Sequence, residues 1–317
     1  MDTAMHNSAS TATAAPTISP QALSQRLHSS HAPLVLDVRR APKFAASPHL
    51  IATAQWCDPD SVAAWAAGQT PREVVVYCVY GHNVSEDATA TLLAAGWDAC
   101  ALAGGIEGGE DGVDDAARTA EWRAQGLPLI AKRADWGVDG LQASRWITRE
   151  RPKIDRLACP WLIRRFIDPR ATFFYVSSAQ VFEQARALQA VAYDIPGAPV
   201  SHVGELCSFD ALVGGFALRD PALALLAAIV RGADTDALHL APQSAGLLAL
   251  SLGLSKLHTN DHALLEVAMP LYDAQYAWCQ DKTQHTDEAH SWNPGAAIPT
   301  APAATPTAQS ASTAGTR

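Results

Sequence analysis

The chain lacks most of the features that assign a protein quickly. None of its six cysteines (Cys57, Cys78, Cys100, Cys159, Cys207 and Cys279) forms a Cys-x-x-Cys pair. That argues against a disulfide framework or a thiolate zinc site, and for a reducing, cytoplasmic setting. No apolar run approaches the ~20 residues of a membrane span. The Ala/Ser/Thr-rich stretch Met1–Pro16 has neither a basic start nor a continuous apolar segment, so it does not read as a secretory signal. Positive charge is scarce, with 23 Lys and Arg against 32 Asp and Glu and a formal net charge of −9. Together with the lack of a helix-turn-helix pattern, this argues against nucleic acid as a partner. No internal repeat is evident. What the 317 residues do carry is 48% hydrophobic content and only 17% charge, enough for about two buried cores.

Low-complexity composition at the ends predicts disordered segments over residues 1–17 and 283–317. Between them lie two patterned blocks, residues 18–130 and 144–282, joined by a short linker over 131–143. The first opens with a helix start, Ser19 as N-cap and Pro20 at the first helical position, with Leu23 and Leu27 on one face. Strand-like runs follow at Leu34–Arg39, Val74–Tyr77 and Ala99–Leu102, alternating with helical stretches, so a parallel sheet flanked by helices is expected. Gly108–Gly112 reads as an acidic loop and Val113–Gln125 as a closing helix. The second block reads as α+β. Strand-like Ser144–Thr148, Thr172–Val176 and Val191–Ile195 alternate with helices Ile154–Ile167 and Ala179–Gln189. A mostly helical half follows: Phe209–Phe216, Pro221–Arg231, Pro242–Leu254 and Asp261–Trp278.

The most informative stretch is Glu73–Ser85. Val74 to Tyr77 predicts a buried strand that delivers Cys78 to its end, and after a Gly-containing loop a helix over Ser85–Ala95 stops near Gly96. Such a strand–loop–helix aims loop N–H groups and a helix N-terminus at the sulfur, which favours a thiolate. The plainer alternative is a structural cysteine at a strand end. Asp37 and Arg39 read either as a buried ion pair across a strand end or as residues of an active-site rim.

Leu34–Arg39, His49–Ala54, Val74–Cys78 and Leu102–Ile106, in that order and spacing, resemble the single-domain rhodanese family. The resemblance implies a rhodanese-like parallel sheet flanked by helices. It also implies a sulfurtransferase in which Cys78 carries sulfane sulfur as a persulfide between a small-molecule donor and a thiol acceptor. The loop Val79, Tyr80, Gly81, His82, Asn83 and Val84 would cradle the persulfide, and Asp37 and Arg39 would shape the rim, with no cofactor required. Two departures stand out. The loop's sole candidate cation is His82, so weak attraction for thiosulfate is expected. Lys43 stands where an acidic residue is common in the family.

In the second block, Arg149, Arg151, Lys153, Arg156, Arg164 and Arg165, with Arg145 and Arg170 beside them, make a basic cluster in an acidic protein. Arginine forks suit tetrahedral oxyanions such as chromate, sulfate or phosphate. Salt bridges to Glu150, Asp155 and Asp168 are the alternative. A second set, His202, Glu205, Asp234, His258 and His262, has the donor types of a mixed His/carboxylate site for iron, manganese or zinc. His258 and His262 are four apart near a helix start. A solvated helix edge is the alternative there, and Trp161 with its apolar neighbours reads as core. The stretches Trp146–Arg156, Cys159–Pro169, Ser201–Asp210 and Ile229–Asp234 are similar to the C-terminal domain of the ChrB family of bacterial chromate-resistance proteins. That implies a part in handling chromate or a related oxidative stress, either as an enzyme fused to an oxyanion-handling domain or as a chromate- or metal-responsive binding protein.

Overall fold

The computed structural model describes residues 15–107 and 122–284. The acidic loop Gly108–Gly112, most of the helix expected over Val113–Gln125, and nearly all of both low-complexity ends lie outside these residues. Trp122–Gln125, at the end of that expected helix, is turn. At the margins of the low-complexity ends the backbone is ordered: Pro16 accepts from Ala101 N–H at 2.8 Å, Thr17 begins a strand, and the last helix runs through Gln284.

The first half is built on a five-stranded parallel sheet: β1 (Thr17–Ile18), β2 (Leu34–Asp37), β4 (Gln55–Trp56), β5 (Glu73–Tyr77) and β6 (Asp98–Leu102), in spatial order β1-β6-β5-β2-β4. The side-chain period of two divides the central strands cleanly. Leu36, Val74, Val76 and Cys78 share a core with Val62 and Ala66 of α3 (Val62–Ala67) and with Ala88 and Leu92 of α4 (Asn83–Ala94). Val35, Val75 and Tyr77 face the other way, into a core shared with Leu23 of α1 (Pro20–Arg26). Ser19 Oγ caps α1, accepting from Ala22 N–H at 3.2 Å. Among the described residues of this half a further short helix, α2 (Ala41–Ala46), follows Arg40 directly.

The second half carries a three-stranded parallel sheet, β10-β8-β9, from β8 (Arg145–Arg149), β9 (Thr172–Val176) and β10 (Val191–Ala192). Its helices are α5 (Asp155–Leu162), α6 (Val181–Leu188), α7 (Ser208–Gly215), α8 (Pro221–Asp234), α9 (Ser244–Leu257) and α10 (Asp261–Gln284). The expected single helix Ile154–Ile167 is two pieces. After Leu162 the chain makes a π-helical turn, Ile163–Ile167, closed by Asp168 N–H on the Ile163 carbonyl at 2.8 Å. Strand β10 stops three residues short of the expected Ile195, because Asp194 takes a positive φ of 49°.

The two halves share one buried core. The cluster that fills the α1 face of the first sheet continues through Trp136, Trp146, Trp161 and Phe166. The expected linker is part of that packing. β7 (Leu129–Ala131) pairs antiparallel with β3 (His49–Ile51), Gly140 accepts from Trp56 N–H at 2.9 Å, and buried Trp136 sits edge-on to Phe216 at 5.3 Å. Among the described residues no helix is long and apolar enough to cross a membrane.

His28 latches the halves together. Its ring stacks on Phe166 at 3.9 Å, and Nδ1 lies 3.0 Å from the Arg165 carbonyl; a carbonyl only accepts, so Nδ1 carries the proton. Burial lowers the His28 pKa below its ordinary 6.5, opposed by that hydrogen bond. With the folded pKa depressed, the unfolded chain takes up the proton first as pH falls, so stability is lost as pH drops below about 6.5. Thermal unfolding followed from pH 8 to 5 should show this loss, and His28→Phe should remove part of it. An unchanged pH slope in the variant would contradict the assignment.

Candidate active site at Cys78 and a second cluster in the C-terminal half

Cys78 follows β5 directly, and α4 begins five residues later with His82 as its N-cap residue. Cys78 is 5% exposed and lines a cavity of about 250 Å³. Gly81 N–H donates to it at 3.2 Å, and Ser85 Oγ lies 3.3 Å away while its own hydroxyl donates to the His82 carbonyl at 3.0 Å. Of the expected cradle, then, one backbone N–H reaches the sulfur. Val79, Tyr80, His82, Asn83 and Val84 line the cavity. Burial pushes up the thiols of Cys57, Cys100, Cys159, Cys207 and Cys279, Cys57 to about 11.

The loop holds this shape because two backbones touch. Gly81 at φ +76° and Gly105 at φ +61° approach so closely that a Cβ on Gly105 would lie 2.6 Å from the Cys78 and Val79 carbonyls and from Gly81 N. Ile106 and Glu107 N–H groups then donate to the carbonyls of Cys78 and Val79 at 3.1 and 2.9 Å. The Gly-Gly pair after β6 is thus the wall against which the cysteine loop is fastened.

Asp37 and Arg39 form a buried pair. Arg39 Nε and Nη2 donate to the Asp37 carboxylate at 3.0 and 2.6 Å, and Tyr77 Oη donates to it at 2.8 Å. Both side chains are almost wholly enclosed. Breaking such a pair costs roughly 3–5 kcal/mol, so its first role is to hold the β2 end in place. Arg39 also borders the cavity, and just beyond it Arg40 and Lys43 line the same space from the start of α2, both side chains exposed. Within the loop His82 is the sole candidate cation, as expected, but Arg39, Arg40 and Lys43 line the same cavity from outside the loop. Lys43, the departure from the family pattern, is thus one of the residues lining the Cys78 cavity.

The basic residues of the second half do not converge on one anion. Arg149 and Arg156 both contact Asp194 Oδ2 at 3.2 Å, and Arg151 donates to the carbonyls of His258, at 2.9 Å, and of Ser255. Arg164 pairs with Glu266 at 2.8 Å, Arg165 forks onto Asp273 at 2.8 Å, and Arg170 pairs with Asp168 at 3.2 Å. Arg145 donates to the Leu188 carbonyl, and Lys153 is exposed. Carboxylates and carbonyls occupy most of these forks. Three of them, Arg164, Arg165 and Arg170, nonetheless line a cavity of about 180 Å³ together with Arg72 of the first half.

The His/carboxylate set is rearranged as well. His202 and Asp234 do meet, but their partners are Asp155 and Asp194; donor atoms of these four lie within 4.8 Å of one another. His202 Nε2 is 3.6, 3.3 and 3.2 Å from Asp155, Asp194 and Asp234. Glu205 is exposed and borders the same cleft as His202. His258 ends α9, with its carbonyl on Arg151, and His262 is exposed with its ring edge-on to Tyr175 at 5.4 Å, so neither joins the set. Asp155 is fully buried and accepts from the first N–H groups of α7, Ser208 at 2.6 Å and Phe209 at 3.0 Å. Burial first, then the neighbouring carboxylates, raises the pKa of Asp155 and Asp234. Asp194 carried a signal that was missed: it follows the end of a strand of a parallel sheet, where α/β folds gather ligand-binding groups.

A direct test of the loop's support is Gly105→Ala. Positive φ alone costs about 1 kcal/mol or more for alanine, and the backbone clash adds to it. The variant should unfold at lower temperature than wild type and label faster at Cys78 with a thiol reagent. An unchanged melt and labelling rate would show that the glycine contact is dispensable.

Two family models match separate stretches of the chain. The family model described as ChrB, C-terminal domain, matches residues 146–279, and that of the rhodanese-like domain matches residues 19–111. Protein ChrB of Cupriavidus metallidurans is 35% identical over 136 residues, which is 43% of this chain and 40% of that protein. The chain thus spans about two fifths of that relative's length. A rhodanese homolog from the extremely thermophilic bacterium Thermus thermophilus is 32% identical, covering 23% of this chain and 78% of its own, with a TM-score of 0.20. A rhodanese-like domain protein from Staphylococcus aureus is 24% identical, covering 31% and 96%, with a TM-score of 0.27. Over the two matched stretches the chain is similar to a rhodanese-like domain and, after it, to a ChrB C-terminal domain.

Proposed function

We propose that the first half is a sulfurtransferase in which Cys78 carries sulfane sulfur, serving the chromate-resistance role that the ChrB-type half suggests. The observation that carries this reading is a cavity lined by Arg40, Lys43 and a cysteine that accepts from Gly81 N–H. In the first step the Cys78 thiolate attacks the outer sulfur of thiosulfate. The donor's S–S bond breaks, sulfite leaves with the electron pair, and Cys78 becomes a persulfide. An acceptor thiolate or cyanide then takes the terminal sulfur and returns the Cys78 thiolate. No metal or general base is needed, because both leaving groups depart as anions. Arg40 and Lys43 would draw in the anionic donor and hold the departing sulfite.

Purified protein should load sulfur from thiosulfate, and Cys78→Ala should load none at that position. Lys43→Ala and Arg40→Ala should each raise KM for thiosulfate several-fold while leaving kcat within about twofold, since an exposed charge contributes about 1 kcal/mol or less. Equal loading of wild type and Cys78→Ala would end the sulfurtransferase reading.

A second reading, oxyanion binding between the halves, is favoured by the cavity bordered by Arg72, Arg164, Arg165 and Arg170. Thr53 also borders it, with its hydroxyl buried and unpartnered. Chromate binding measured by calorimetry should weaken roughly tenfold or more in Arg72→Ala, because a hydrogen bond to a charged group is worth about 1.5–3 kcal/mol. Chromate affinity that is absent, or indifferent to Arg72, would remove this reading.

A further inference from the structure

We infer that Asp155, Asp194, His202 and Asp234 form a binding site for one divalent cation of the hard, oxygen-preferring first-row class, represented by Mn2+. Three carboxylates and one imidazole match that class better than a thiolate-preferring ion. The four donors come from four separate places in the chain: the start of α5, just past the end of β10, the loop before α7, and the end of α8. Such convergence is not the product of one local helix face or one acidic run.

The spacing supports a shared ion over direct pairing. Donor atoms on opposite sides of a cation with bonds of about 2.0–2.2 Å lie roughly 4 Å apart. Here all four donors fall within 4.8 Å of one another. The imidazole, by contrast, stands 3.2 to 3.6 Å from each carboxylate. A charge-assisted hydrogen bond is shorter, about 2.7–2.9 Å. His202 is therefore placed as one of four donors around a point, without a tight bond to any one carboxylate.

Charge balance points the same way. Both guanidinium contacts to the cluster, from Arg149 and Arg156, fall on Asp194 Oδ2. Among the described residues, Asp155 and Asp234 have His202 as their ion-pair partner and no Lys or Arg. Two mostly enclosed carboxylates facing each other repel, and a divalent ion between them offsets that repulsion. The donors are also oriented from behind, as metal ligands are. Ser208 and Phe209 N–H groups hold Asp155, and Ser208 Oγ holds Asp194 at 3.1 Å. A route in exists, because His202 is 39% exposed and borders a cleft of about 580 Å³.

The test uses the full-length protein, stripped with a chelator and titrated with Mn2+ by calorimetry. Loss of the free-ion EPR signal provides the second readout. One equivalent should bind per chain, and His202→Ala and Asp234→Asn should each weaken binding at least ~10-fold. His239→Ala, in the same cleft but outside the donor set, should bind as wild type does. Retained sulfur loading at Cys78 and an unchanged circular dichroism spectrum would show that the variants are folded. No saturable Mn2+ uptake by wild type would overturn the proposal. So would affinity unchanged in both donor variants, or lost equally in His239→Ala.

Discussion

The structure depends on one constraint: a parallel sheet must bury both of its faces, because its connections place covering elements on each side. The central strand β5 obeys it residue by residue. Val74, Val76 and Cys78 face α3 and α4, whereas Val75 and Tyr77 face the core that continues into the second half. The C-terminal half is therefore more than an appended module. It completes the cover of the first sheet, which is why residues 131–143 are built into the packing through Trp136 and the Gly140 carbonyl. It also explains why a histidine from the first half stacks on a phenylalanine of the second.

The same topology places the chemistry. In both sheets the strand order reverses beside an early strand, between β2 and β5 in the first and at β8 in the second. Crevices open at the carboxyl ends of strands at such points. Cys78 follows β5 and Arg39 follows β2; Arg149 ends β8 and Asp194 follows β10. Each half thus offers reactive or charged groups at the equivalent position of its own sheet. They differ in what they present: a single sulfur in a cavity that cationic residues also line in one, carboxylates around an imidazole in the other.

The order of elements was legible in the chain because strand composition and helix caps act locally. Ser19, the valines of β5, and Asp220 ahead of Pro221 all set their segments through near neighbours. The cysteine at the β5 end was legible for the same reason. Less visible were contacts between residues far apart in sequence. Arg40 and Lys43, which line the Cys78 cavity, come from the connection after β2, roughly forty residues upstream, so the loop's own residues carry no sign of them. His258 and His262 had the spacing of a shared helix face, yet α9 ends at Leu257 and a new helix starts at Asp261, which sends the two rings to different surroundings. Asp194 had no sequence companion at all; its role follows from the place where β10 ends.

The central claim is that sulfur carried by this protein resides on Cys78, the thiol whose loop is fastened by Gly81 and Gly105. The most direct measurement is peptide mapping by mass spectrometry of the unmodified full chain after exposure to thiosulfate, with all six cysteines resolved. The account predicts one added sulfur on the Cys78 peptide and none on the peptides of the five thiols whose pKa burial raises. Sulfur found on another cysteine, or on none, would contradict it.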